Sequence, residues 1–140
     1  MRPLRSSRRT FTLVELLLVM VILAVLAAIV VPKFTGRGED AKISATKAQI
    51  SELGTMLELY ETDNGTYPST AQGLLALREQ PTSAPEPRGW KGPYMKGEVP
   101  TDPWGSEYVY RSPGAGSDGY DLFSVGPDQK EGTDDDIWGN

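Results

Sequence analysis

The 140-residue chain has no cysteine and no histidine. Without thiols and imidazoles it has no disulfide staple, no thiol nucleophile, no histidine-dependent triad and no zinc site of the usual nitrogen and sulfur type. An extracytoplasmic domain built from this chain must hold its loops by other means. Acid is missing from residues 1–10, which carry four Arg, whereas residues 11–140 hold all nineteen Asp and Glu against ten Lys and Arg, a net charge of −9. A domain of that sign repels phosphate, which argues against nucleic acid as a partner.

Charge is also missing between Glu15 and Lys33. Leu16 to Val31 is sixteen apolar residues without interruption, and with Phe11 to Glu15 the stretch reaches 21. As a helix rising ~1.5 Å per residue it would span roughly 31 Å, one bilayer core. A basic leader ahead of such a run keeps the N-terminus cytoplasmic and sends the downstream chain across the membrane. The alternative is a cleaved secretory signal, but the apolar region is long for one and Ala24 to Ala28 offers a poor cleavage site.

Pro32, Gly36 and Gly38 predict a hinge or break over 32–38. Helical periodicity then resumes from Glu39, with Ile43, Ile50, Leu53, Leu57 and Tyr60 forming an apolar stripe that ends at the turn signal Asp63-Asn64-Gly65. Asn64-Gly65-Thr66 also fits the N-glycosylation pattern, though here it reads as a turn. Thr70 is positioned to cap a short helix over 71–79 that buries Leu74, Leu75 and Leu77. Six Pro within 81–103 predict an ordered loop, pinned to the core by Trp90, Tyr94 and Trp104. Residues 107–111 and 120–125 alternate and predict an antiparallel pair across the turn 112–119.

Asp128, Asp134, Asp135 and Asp136 fall within nine positions, among Gly126, Pro127, Gly132 and Gly139. Hard oxygen donors on a tight, irregular loop suit calcium, although the EF-hand spacing is absent. A solvated acidic tail and a pair of general acid/base carboxylates are the alternatives. Ile137 and Trp138 favour an anchored loop over a free tail, and a calcium clamp would supply the staple that the missing cysteines leave wanting.

The segment "TFTLVELLLVMVILAVLAAIVVP" resembles the N-terminus of type IV pilin-like proteins. "YPSTAQGLLAL", "WKGPYMK", "VPTDPWGSEYVYRSPG" and "DGYDLFSVGPD" look like the major pseudopilins of the type II secretion system, a likeness running from about residue 10 to 140. The resemblance implies a non-enzymatic subunit made in the inner membrane, single-pass with its N-terminus cytoplasmic, and polymerised with copies of itself into a periplasmic filament that promotes export of folded proteins. Its partners would be minor pseudopilins, a prepilin peptidase, an inner-membrane assembly platform and membrane lipid. The peptidase would cut between Thr10 and Phe11 and methylate the new amine; the family normally has Gly where this chain has Thr10. Glu15 would then neutralise a processed N-terminal amine during assembly. For calcium, the resemblance points to Asp128, Asp135 and Asp136 as side-chain ligands, with Val125 and Thr133 offering carbonyls and Asp134 a charged neighbour. Another pilin-like filament, or a secreted calcium-binding protein with a cleaved signal, remain as rivals.

The expected fold is α+β: a long N-terminal helix, half hydrophobic and half amphipathic, packed on a small antiparallel sheet with ordered loops. The expected divisions are a leader over 1–10, a hydrophobic helix over 11–32, an amphipathic helix over 33–64 and a periplasmic region over 65–140.

Overall fold

The computed structural model describes residues 11–116 and 119–139, with backbone alone over 30–37. Its elements are α1 (Leu13–Asn64), a 3-10 turn (Leu74–Leu77), β1 (Val109–Arg111), β2 (Asp121–Ser124) and β3 (Ile137–Trp138). By contacts the chain divides into two compact units that part between Glu39 and Asp40.

The break expected over 32–38 does not occur, because α1 is assigned as one helix of 52 residues. A proline inside a helix deletes one hydrogen bond, and a glycine costs about 1 kcal/mol relative to alanine. The many turns on either side outweigh those losses. The helix stops where expected, with the Gly65 amide donating to the Glu61 carbonyl at 2.6 Å and φ of 77° at Gly65. That left-handed turn is one a side chain would resist.

Within the second unit, Ile50, Leu53, Leu57 and Tyr60 are buried along one face of α1. Ile43 is only partly buried, and Thr46 completes the stripe at full burial. Thr46 can lie there because its hydroxyl donates back to the Lys42 carbonyl at 2.8 Å. The stripe packs with Leu74, Leu77, Met95, Tyr108, Tyr110, Leu122 and Ile137 into one core.

The expected helix over 71–79 shrinks to the 3-10 turn, and Thr70 does not cap it. Its hydroxyl instead exchanges hydrogen bonds with the Ser112 carbonyl at 3.0 Å and the Ser112 amide at 2.9 Å. Ser69 and Gln72 satisfy each other just before the turn, backbone to side chain in both directions. Gly73, at φ 59°, then interrupts the helical path. Leu75, expected to be buried, is 50% exposed. In so short a turn only Leu74, Ala76 and Leu77 face inward.

The loop after it is ordered as expected. Trp90 Nε1 donates to the Ala76 carbonyl at 3.1 Å, and Trp90 meets Tyr94 edge-on at 5.9 Å. The expected antiparallel pair is β1 with β2, in the register Val109↔Phe123, Tyr110↔Leu122 and Arg111↔Asp121. A third strand, β3, is only two residues long and has no alternation in the sequence to mark it. It adds antiparallel to β2 through Phe123↔Trp138 and Ser124↔Ile137, giving the sheet order β1-β2-β3.

Candidate functional site

Residues 125–136 connect β2 to β3, so their ends are drawn together by the Ser124↔Ile137 pairing. Gly126 sits at this closure with φ 69°, and a Cβ on it would lie 2.1 Å from the Asp135 carbonyl oxygen. Only glycine permits that approach. Inside the loop, Asp128 Oδ1 accepts from the Lys130 amide at 2.9 Å. Asp136 Oδ2 accepts from the Gly132 amide at 2.9 Å, and the Asp136 amide donates to the Thr133 carbonyl at 3.2 Å.

The structure thus brings Gly126, next in sequence to Val125, beside Asp135, and Thr133 beside Asp136. Asp128 is engaged in its own turn, and Asp134 is exposed. Among the described residues no group of three or more acidic side chains converges as a metal cage. One observation nevertheless suits a hard cation: Asp136 Oδ1 is buried and has no hydrogen-bond partner. A buried carboxylate oxygen without a donor is costly, and a calcium ion would satisfy it. Two contacts fasten the loop from outside. Gln129 Nε2 donates to the Trp104 carbonyl at 2.9 Å, and Arg111 pairs with Glu131 at 2.6 Å.

Sequence reasoning gave no role to Asp102, which is 4% exposed. Its Oδ1 accepts from the amides of Trp104 at 3.1 Å and Ser106 at 2.8 Å. Its Oδ2 accepts from the Ser124 hydroxyl at 2.6 Å, and Ser124 Oγ in turn accepts from the Gly126 amide at 3.0 Å. The turn signal Asp102-Pro103-Trp104-Gly105 could have suggested the first two bonds, but the third joins positions far apart in sequence.

At the other end, Thr10 lies outside the described residues, and Phe11 is 73% exposed. Thr12, also unremarked in the sequence, caps α1: the Glu15 amide donates to Thr12 Oγ1 at 3.3 Å and to its carbonyl at 3.1 Å. The signal was present as Thr-x-x-Glu, the spacing of a capping box. Glu15 lies in the first turn, where the helix dipole favours a negative charge. From Leu13 to Ile29 the large apolar side chains are exposed on every side of the helix. Among the described residues no helix is long and apolar enough to cross a membrane; Val30 and Val31, which complete the run in sequence, are described by backbone only.

Residues 5–31 match the prokaryotic N-terminal methylation motif, and residues 33–139 match the family described as type II secretion system (T2SS), protein G. The chain belongs to the protein G family of the type II secretion system. It is 45% identical over 132 residues to the type II secretion system core protein G of Pseudomonas aeruginosa, covering 94% of this chain and 92% of that one. To the core protein G of Aeromonas hydrophila it is 47% identical over 128 residues, covering 91% and 88%. A crystal structure of the major pseudopilin from the type 2 secretion system of enterohaemorrhagic Escherichia coli is similar at 41% identity and a TM-score of 0.67, over 73% of this chain and 85% of that one. The resemblance to major pseudopilins and the expected α+β fold are both borne out by these relatives of the protein G family.

Proposed function

We propose that this chain is the major structural subunit of a type II secretion pseudopilus, polymerising into a periplasmic filament that promotes export of folded proteins through the outer membrane. The observation that carries the reading is the exposed apolar surface around α1 from Leu13 to Ile29, on a member of the protein G family. A helix apolar all round is at home in lipid or among identical helices, so a subunit can leave the bilayer for a filament without wetting that surface. The four Arg of the leader hold the N-terminus cytoplasmic in the inner membrane.

The methylation motif supports cleavage between Thr10 and Phe11 by a prepilin peptidase, with methylation of the Phe11 amine. Glu15 is then half of an ion pair whose other half exists only after processing. It neutralises an amine of its own or of a neighbouring subunit, and so favours the correct axial register. Minor pseudopilins and an inner-membrane assembly platform complete the partners. Calcium is the ion the C-terminal loop would hold, through the carboxylates of Asp128, Asp135 and Asp136 and the carbonyls of Val125 and Thr133; the unpartnered Asp136 oxygen supports this assignment. Bound there, it would clamp the two ends of a loop that no disulfide can close.

Deleting the gene should leave exported enzymes trapped in the periplasm, and the intact chain should restore their export. Unimpaired export in the deletion strain would refute the proposal. Intact mass of the membrane-extracted protein tests processing separately, with a methylated N-terminus at Phe11 as the expected result.

A further inference from the structure

We propose that Asp102, acting through Ser124, fixes and polarises the Val125–Gly126 peptide group so that Val125 presents its carbonyl to calcium. The inference rests on the calcium reading above and assigns a positioning role to two residues outside the loop.

Asp102 is not itself placed to ligate. Three donors already occupy its two oxygens, and it is 4% exposed. A carboxylate that served only its own turn would need no more than the Oδ1 bonds to Trp104 and Ser106. The second oxygen reaches instead to Ser124, at the end of β2. Ser124 is fully buried, its hydroxyl hydrogen is committed to Asp102, and its oxygen receives the Gly126 amide at 3.0 Å.

That amide belongs to the same peptide group as the Val125 carbonyl. In a trans peptide the N–H and C=O point in opposite directions. Anchoring the Gly126 N–H on Ser124 therefore turns the Val125 oxygen away from Ser124 and holds it there. Donation to a hydroxyl that itself donates to a carboxylate also polarises the peptide and raises the negative charge on the Val125 oxygen. Groups that orient and polarise a metal ligand from behind commonly matter nearly as much as the ligand. The closure of Gly126 against the Asp135 carbonyl means that a peptide held at this point positions both ends of the loop at once.

The test is calcium titration calorimetry on the full-length chain in detergent micelles, with Ser124→Ala, Asp102→Asn and the control Tyr110→Phe. Tyr110 also carries a buried hydroxyl, but it bonds the Pro68 carbonyl rather than anything in the loop. Ser124→Ala and Asp102→Asn should each weaken calcium binding about tenfold or more, with Tyr110→Phe within twofold of the parent. Parent-like Kd values in both variants, or an equal loss in the control, overturn the positioning role and leave the calcium reading intact. A parent chain that binds no calcium overturns both. Should either variant fail to fold, amide exchange in the unmodified chain decides. With chelator present, the Gly126 amide should already be protected, and exchange as fast as in an open loop would overturn the proposal.

Discussion

Lys91 Nζ donates to Asp63 Oδ1 at 2.6 Å, while the Tyr94 hydroxyl donates to the other oxygen of the same carboxylate at 3.0 Å. Together with the Gly89 amide on Asn64 Oδ1 at 3.2 Å, these bonds clasp the proline-rich loop to the last turn of α1. The bond from Lys91, then that from Tyr94, holds the Asp63 carboxyl below its ordinary range, and Asp63 holds the Lys91 ammonium above its own.

A carboxyl with a depressed folded-state pKa stabilises the fold fully above its unfolded value near ~4 and loses that contribution as pH falls further. Asp63→Asn should therefore flatten the acid limb of a urea-stability profile recorded from pH 2 to 7. The change should be modest, because the Lys91 side chain is 74% exposed and solvent screens the pair. An acid limb identical to that of the parent would rule out the clasp as a contributor.

Tyr110 is the buried phenol whose hydroxyl donates to the Pro68 carbonyl at 2.7 Å. Tyr110→Phe should cost about 1–3 kcal/mol in denaturant unfolding, since the carbonyl is left without its donor. Burial, the largest cause, raises its pKa in the folded state. Stability from the neutral phenol is thus complete below about pH 10 and falls as pH rises beyond it. The variant should lose that part of the alkaline decline.

Glu15→Val removes the one charge in the apolar half of α1. The variant should insert in the membrane as the parent does and yet give few filaments, scored by sheared-filament yield from cells. Parent-like yield would show that register is set elsewhere.

Chelation should lower the melting temperature of the full chain in detergent and open the 125–136 segment to proteases. Asp136→Asn should reproduce part of the effect, because it alters the side chain with the unpartnered buried oxygen. Superimposable melting curves with calcium and with chelator would remove the ion from the account.

Local pattern carried much of this architecture into the sequence. The stripe from Ile50 to Tyr60 was readable because helical periodicity and burial coincide there. The β1–β2 pair was readable because each strand alternates and one turn joins them. Thr46 was hidden, since a threonine reads as polar and its burial here depends on the hydrogen bond its hydroxyl donates to the Lys42 carbonyl. β3 was hidden for a different reason: two residues have no period, and their strand character exists only against Phe123 and Ser124. Likewise the acidic loop could be recognised by composition, whereas Asp102, 22 positions before Ser124, could be linked to it only by folding. Pro32 misled in the opposite direction, as a local breaker overruled by the length of helix around it.

β3 has one more consequence. Ile137 fills the core, and Trp138 stacks on Phe123 at 4.3 Å, so the central strand gains its second neighbour only from residues beyond the 125–136 loop. The sheet stays unfinished and the ends of the 125–136 loop stay unjoined until those two residues pair with Phe123 and Ser124. A chain cut before Ile137 would therefore offer an unpaired β2 edge to its neighbours instead of a closed surface.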